Sequence, residues 1–183
     1  MASSIKKKVI IIFSSKHGLT EKISLKVYNS LKHVCNVDIF SIFAFENVNI
    51  VNYDVIILGS SIYYGKHNKR ISKLVEENLT VLKRKKSFFF SVNVVARKKN
   101  KSTADSNPYL IKFFKQTNWS PDFAFVFAGQ VNYPVYSFLN KIIIRFIMFV
   151  TKGPTDLAKC HDFTNWSKVN TFVNHLKSVI AKT

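Results

Sequence analysis

The segment Ser14–Thr20 of this 183-residue chain, with the sequence SSKHGLT, contains the residue types that bind a phosphate group. Hydroxyl side chains and a glycine allow hydroxyl and backbone N–H groups to converge on one anion. A helix that begins at the end of the loop would add the favourable end of its dipole. An ordinary strand-to-helix turn with a Ser or Thr cap would use the same residues. The loop alone favours a phosphate site and leaves the structural alternative open.

The elements that position this loop are predicted by the pattern of apolar residues. Five apolar runs have the length of a strand, and several are apolar at consecutive positions, which is typical of strands covered on both faces. Stretches with helical spacing lie between them. The strands are expected at Lys8–Phe13, Val34–Phe40, Asp54–Gly59, Ser87–Asn93 and Phe123–Gly129, and the helices at Thr20–His33, Asn68–Leu82, Asn107–Lys115 and Ser167–Ala181. This alternation predicts an α/β fold with a parallel sheet covered by helices on both faces.

The chain length is typical of one domain, residues 1–183, with a long insertion at about residues 131–165 before the last helix. Within it, Val135–Val150 is mostly apolar and has only two charged residues, Lys141 and Arg145, on one helical face. This segment is shorter than the roughly 20 apolar residues that span a bilayer. We expect a helix that rests on a membrane surface and helps to build a substrate site. The alternative is a helix packed in the core.

The net charge of +18, from 28 basic and 10 acidic residues, attracts polyanions such as anionic lipid, nucleic acid or an acidic small molecule. A genome rich in A and T would also raise the content of Lys, Asn, Ile and Phe, and would explain part of the excess. No helix-turn-helix, zinc or RNP pattern accompanies the charge. The sequence therefore predicts no nucleic-acid partner.

Two cysteines, Cys35 and Cys160, cannot form a disulfide framework, and neither lies in a zinc or iron–sulfur pattern. We expect a reducing compartment and no metal site. The N-terminal Met1–Lys8 leads into an apolar run of only about five residues, which is too short for a signal-peptide core. This run is interpreted as the first strand.

Around the phosphate loop the sequence resembles the flavodoxin-like family. The family motif is an apolar pair, an aromatic residue, Ser or Thr, two residues, a small residue, one more residue and Thr. Its positions are matched by Ile11, Ile12, Phe13, Ser15, Gly18 and Thr20. Within the family, the chain resembles the quinone-dependent protoporphyrinogen oxidases of enteric bacteria. The matching stretches cover nearly the whole chain in order: IIFSSKHGLT, GSSIYYGKH, FFFSVNVVARK, PYLIKFF, NWSPD, AGQVNYPVY, KIIIRFIMFVTKGPTD and FTNW.

The resemblance implies a flavodoxin-like, doubly wound sheet of five parallel strands in the order 2-1-3-4-5. It also implies FMN at the carboxyl ends of the strands, near the switch between the first and third. Tyr63 or Tyr64 could stack on the flavin ring. The residues implied for the phosphate are Ser15, Lys16, His17, Gly18, Leu19 and Thr20; those implied for the ring are Ser60, Ser61, Ile62, Tyr63, Tyr64 and Gly65 and, at its polar edge, Ser91, Val92, Asn93 and Val94.

The same resemblance implies six-electron oxidation of protoporphyrinogen IX to protoporphyrin IX in heme biosynthesis. The acceptor would be a membrane quinone, menaquinone or ubiquinone, and the enzyme would be peripheral on the cytoplasmic face of the bacterial inner membrane. The flavin is expected to carry the chemistry without a catalytic side chain, although His17 and His67 fall in the cofactor loops. Cations must hold the two propionates of the substrate, and the candidates are Arg97, Lys98 and Lys99, followed by Lys141 and Arg145.

Two other functions fit the same fold. A flavodoxin that shuttles single electrons is usually acidic because it docks on basic reductases, whereas this chain is strongly basic. An NAD(P)H-dependent quinone reductase would need a nicotinamide pocket, which the sequence neither shows nor excludes.

Overall fold

The computed structural model describes residues 6–45 and 48–182. Met1–Ile5 lie outside the described residues. They belong to the N-terminal stretch interpreted from the sequence as leading into the first strand and not as a signal peptide.

Five parallel strands form the central sheet, in the order β2-β1-β3-β4-β5, which confirms the prediction. The predicted strand ends differ from the observed ones by no more than two residues. The carboxyl ends of three central strands lie level, because Ser14 of β1 pairs with Ser60 of β3, which in turn pairs with Ser91 of β4. The three following loops therefore meet at one edge of the sheet. The strands are β1 Lys8–Ser14, β2 Asn36–Ser41, β3 Val55–Ser61, β4 Lys86–Asn93 and β5 Phe123–Ala128.

Helices cover both faces of this sheet, at α1 Leu19–Leu31, α2 Lys69–Glu77, α3 Leu79–Arg84, α4 Pro108–Thr117 and α6 Trp166–Lys182, whereas α5 Phe138–Val150 belongs to the insertion. The single helix predicted over Asn68–Leu82 is wrong, because the chain leaves helical geometry at Asn78 (φ −116°, ψ 20°). The Asn78 side chain donates to the carbonyl of Leu74 at 2.9 Å. Asparagine competes in this way with backbone hydrogen bonding and favours helix ends.

The core consists of two layers, one on each face of the sheet. Alternate residues of a strand point to opposite faces, so Val9 and Ile11 pack with α1 and α6, whereas Ile10 and Ile12 pack with α2 and α4. All four side chains are fully buried. The continuous apolar runs in the sequence are thus explained by burial on both faces.

The insertion contains a short two-stranded antiparallel sheet in addition to helix α5. Its strands are β6, Gln130–Asn132, and β7, Cys160–Asp162. The sequence did not predict them, because strands of three residues are too short to show a periodic pattern. Within the described residues, no helix combines the length and the hydropathy needed to cross a membrane.

Candidate active site

A cavity of about 320 Å³ lies at the sheet edge where the loops after β1, β3 and β4 meet. The fourth wall is helix α5 of the insertion, which contributes residues spaced by three and four positions. This spacing places them on one face of the helix. The lining residues of α5 are Asn140, Ile143, Ile144, Ile147 and Met148, followed by Thr151.

The loop after β1 has polar groups that are buried without hydrogen-bond partners. Among the described residues, neither Ser15 Oγ nor Thr20 Oγ1 has one. The cap residue of α1 is Gly18, at φ 82°, a left-handed conformation that favours glycine. Because glycine has no side chain to cap the helix, the first-turn N–H groups are left available to a ligand. Two orphaned hydroxyls and a helix N-terminus fit a phosphate group.

The loop after β3 is a tight turn. Tyr63 and Lys66 exchange backbone hydrogen bonds of 3.0 and 3.2 Å, and both residues between them are left-handed, with Tyr64 at φ 48° and Gly65 at φ 73°. Such a turn has the geometry of a type I′ hairpin. It presents both tyrosines to the surface at the cavity, where the Tyr64 hydroxyl donates to Asn140 Oδ1 at 2.6 Å.

His17 lies between the phosphate loop and the insertion. Its ring contacts Tyr136 edge-on, with ring centroids 5.1 Å apart, and Tyr63, with centroids 6.0 Å apart. Its carbonyl accepts a hydrogen bond from Gln130 Nε2 at 3.1 Å. Burial lowers the pKa of His17, and the charge of Lys16 lowers it further. Both effects favour the neutral imidazole.

His67 is not part of this cavity, although it follows the same loop as the tyrosines. Its ring packs edge-on against Phe113 and Phe89, with centroid distances of 4.8 and 5.3 Å. Burial lowers the pKa of His67 to about 3. The ring therefore packs among aromatic side chains away from the cavity.

Most residues predicted to bind the cofactor line the cavity, but Gly18, Ser60 and Ser91 do not. Ser60 and Ser91 are fully buried within the sheet, and Ser91 Oγ accepts from Asn93 Nδ2 at 3.0 Å. Their side chains lie within the strand ends, next to the residues that line the cavity. The predicted residues that line the cavity are Ser15, Lys16, His17, Leu19, Thr20, Ser61, Ile62, Tyr63, Tyr64, Gly65, Val92, Asn93 and Val94.

Only some of the cations predicted to bind the substrate lie at the cavity. Lys98 and Arg97 line the cavity, whereas Lys99, Lys141 and Arg145 do not. The Arg97 guanidinium donates to the hydroxyl of Thr151 at 2.7 Å and to its carbonyl at 3.1 Å. Burial lowers the pKa of Arg97. Arg97 thus fastens the end of α5 to the turn after β4.

Sequence reasoning missed several lining residues on elements distant in the chain. The spacing of Asn140, Ile143, Ile144 and Ile147 was the available signal for α5. No sequence pattern indicated the lining residues outside α5. They are Val95, Lys101, Tyr109, Gly129, Gln130, Val131 and Tyr136.

The opposite face of α5 is apolar and exposed. Phe138 and Phe149 expose 76% and 74% of their surface, and Met148 is the buried residue of the helix. The helix thus packs on the domain with one side, through Met148 and Ile144, and no described residue covers the other side. Ile143 and Ile147 are half-exposed but line the cavity. We call the exposed apolar residues of α5 that do not line it the outer face; its members are Phe138, Leu139, Ile142, Phe146, Phe149 and Val150.

Comparison with known proteins gives consistent matches. The family model of the flavodoxin domain matches residues 10–158. A protoporphyrinogen IX dehydrogenase (quinone) of Escherichia coli strain K12 is 33% identical over 176 residues, covering 96% of this chain and 97% of that protein. A protein of the same name from Leishmania major is 36% identical over 169 residues, covering 91% and 73%. A solved flavoprotein in complex with FMN from Lactobacillus acidophilus NCFM gives a TM-score of 0.48 at 16% identity, covering 66% of this chain and 93% of that chain.

Proposed function

This chain belongs to the flavodoxin domain family, and from that premise we propose that it is an FMN-dependent protoporphyrinogen oxidase that passes electrons to a membrane quinone. The observation that carries the proposal is the composition of the cavity. One end is a polar phosphate loop, and the other is an apolar wall formed by α5. A site of this kind accommodates a flavin together with a large apolar substrate.

The residues present fit FMN. The hydroxyls of Ser15 and Thr20 and the N–H groups at the start of α1 would hold its phosphate, and Tyr63 would flank its ring. When bound, FMN supplies an acceptor for two electrons and a proton in each of three successive oxidations. The chain contributes the apolar surface of Ile143 and Ile147, which orients the substrate and excludes water.

The outer face of α5 supports docking on a membrane. An exposed apolar face of this size is unusual for a protein in water, and the net charge of +18 favours anionic lipid as the partner. Lys141 and Arg145 lie on the same helix and can reach lipid phosphates. We propose a peripheral position on the cytoplasmic face of the bacterial inner membrane, which would bring the cavity close to a quinone dissolved in the bilayer.

The two alternatives make different use of the cavity. An electron carrier would need neither the apolar wall nor the outer face of α5. An NAD(P)H-quinone reductase would share both features, so a direct test is needed to distinguish it from the proposed oxidase.

The test is anaerobic mixing of FMN-loaded protein with one reductant at a time, while the flavin absorbance is followed. Protoporphyrinogen IX should bleach the flavin, and a soluble quinone analogue should restore the colour with protoporphyrin as product. Bleaching by NADPH alone would favour the quinone reductase. Bleaching only by a reduced flavodoxin reductase would favour the electron carrier.

A further inference from the structure

The basic segment after β4 has a defined conformation. It consists of two short 3₁₀ turns, Val94–Arg97 and Lys99–Lys101. The N–H of Lys98 donates to the carbonyl of Val95 at 3.1 Å, and the N–H of Lys101 donates to the carbonyl of Lys98 at 2.9 Å. A run of positive charges in sequence is usually a solvated surface, but these turns fix the backbone position of each lysine in the segment.

Residues three apart in a 3₁₀ turn lie on the same side. Lys98 and Lys101 are related in this way, and both are half-buried and line the cavity. Lys99 and Asn100, between them, are exposed and do not line it. Of residues 98–101, Lys98 and Lys101 therefore lie together at the cavity.

Buried amides hold this pair in place. Asn107 is fully buried, and its Nδ2 donates to the carbonyl of Lys101 at 2.8 Å and to Asn93 Oδ1 at 3.2 Å. Asn93 Oδ1 also accepts from the N–H of Ala96 at 3.1 Å. Because Oδ1 of Asn107 caps α4, accepting from the N–H of Tyr109 at 3.2 Å, one side chain ties the helix, the strand end and the lysine turn together.

The far end of the segment is fixed independently. Lys168 of α6 donates from Nζ to the carbonyl of Ser102 at 2.6 Å. Lys168 is half-buried, and burial lowers its pKa. Arg97, at the near end, is engaged by Thr151. The two cavity cations that remain on this segment are Lys98 and Lys101.

We propose that Lys98 and Lys101 bind the two propionate carboxylates of the tetrapyrrole, and that Asn107 is the positioning residue for this pair. The inference rests on the proposed function and names the residues that recognise its substrate. Protoporphyrinogen IX carries its propionates on adjacent pyrrole rings, which matches two cations on one side of a turn. Partial burial strengthens such ion pairs relative to exposed ones.

The test compares binding of protoporphyrin IX with binding of its dimethyl ester to FMN-loaded protein, followed by porphyrin fluorescence. Each of Lys98→Ala and Lys101→Ala should weaken binding of the diacid roughly tenfold, as expected for loss of a charge-assisted hydrogen bond. Affinity for the ester should stay within about twofold of wild type. In turnover, KM for protoporphyrinogen should rise more than kcat falls, because these contacts are remote from the reacting carbon.

Matched variants test whether the position of each positive charge matters, and not only its presence. Lys99→Ala removes the same charge from the same segment and should leave both affinities unchanged. Lys98→Arg with Lys101→Arg should retain most of the diacid affinity. Asn107→Asp keeps the helix cap but removes the amide donor, and should weaken the diacid while sparing the ester and FMN. If that variant does not fold, Asn107→Ser provides the same comparison.

The outcomes separate this inference from the proposed function. If wild type oxidises protoporphyrinogen but Lys98→Ala with Lys101→Ala leaves KM and diacid affinity unchanged, the inference alone is wrong. Equal losses for the diacid and the ester would likewise overturn it, because they would show a general loss of packing. If wild type binds neither porphyrin and does not oxidise the substrate, both proposals fail.

Discussion

The hydroxyl of Tyr64 donates a 2.6 Å hydrogen bond to Oδ1 of Asn140, joining the tight turn after β3 to the first half of α5. Arg97 makes the corresponding link from the turn after β4 to Thr151 at the other end of the helix. Helix α5 is therefore attached at each end to a different loop of the cavity. The position of the insertion depends on the same loops that would hold the flavin.

Removing the first of these links should loosen only half of α5. Tyr64→Phe loses one hydrogen bond, worth about 1 kcal/mol. We expect amide exchange around Asn140 to accelerate by roughly fivefold, with little change near Thr151. Hydrogen exchange measured by mass spectrometry tests this, with Tyr109→Phe, on another wall of the cavity, as the control. Equal acceleration along the whole helix would contradict the two-point attachment.

The proposed binding of the FMN phosphate can be tested at Ser15 and Thr20, whose buried hydroxyls have no hydrogen-bond partner among the described residues. Ser15→Ala combined with Thr20→Ala should weaken FMN binding by about 3 kcal/mol, because two bonds to a charged group disappear. This corresponds to a loss of about a hundredfold in affinity, measurable by flavin fluorescence. Ser24→Ala is a suitable control, since the Ser24 hydroxyl donates to the Thr20 carbonyl at 2.9 Å. Unchanged affinity in the double variant would refute the assignment.

The two faces of α5 should respond differently to polar substitution. Serine at Phe138, Phe146 and Phe149 should release the protein from vesicles containing anionic lipid while preserving FMN binding, since these side chains are exposed. Loss of three apolar anchors should lower the partition coefficient by more than about tenfold.

Serine at the cavity positions Ile143 and Ile147 provides the comparison. That variant should remain on vesicles and lose affinity for the porphyrin. Vesicle sedimentation and porphyrin fluorescence distinguish the two sets. If the outer-face variant unfolds, or stays bound to lipid, the membrane assignment is wrong.

His67 should make stability depend on pH. Its pKa in the folded state is about 3, compared with 6.5 in the unfolded chain, so the unfolded state binds more protons between these values. The contribution of neutral His67 is complete above pH 6.5 and is lost as the pH falls towards 3. The decrease in the free energy of unfolding should reach roughly 4 kcal/mol.

Denaturant titrations at several pH values test this expectation. His67→Phe, which keeps an aromatic ring between Phe89 and Phe113, should remove most of this slope. His33→Phe changes an exposed histidine and should leave the slope of stability against pH unchanged. A slope unaltered by His67→Phe would assign the acid sensitivity to other groups.

The sheet and the turn between β1 and α1 were predictable because their signals are local. A strand buried on both faces shows a continuous apolar run, and a glycine before a helix marks the turn at Gly18. Contacts such as Gln130 with His17 join residues 113 positions apart, and no local pattern encodes them. Likewise, the basic run after β4 indicated cations, but only the 3₁₀ geometry distinguishes Lys101 from Lys99.

The two attachments of α5 also fix its rotational phase. Asn140 and Thr151 lie about three helical turns apart, so both anchors point to the same side of the helix. Inserting or deleting one residue between them would rotate one anchor by about 100° relative to the other, so that the two links could no longer form on the same side of the helix. Natural variation in this helix should therefore change the identity of its outward side chains and preserve the number of residues between the anchors.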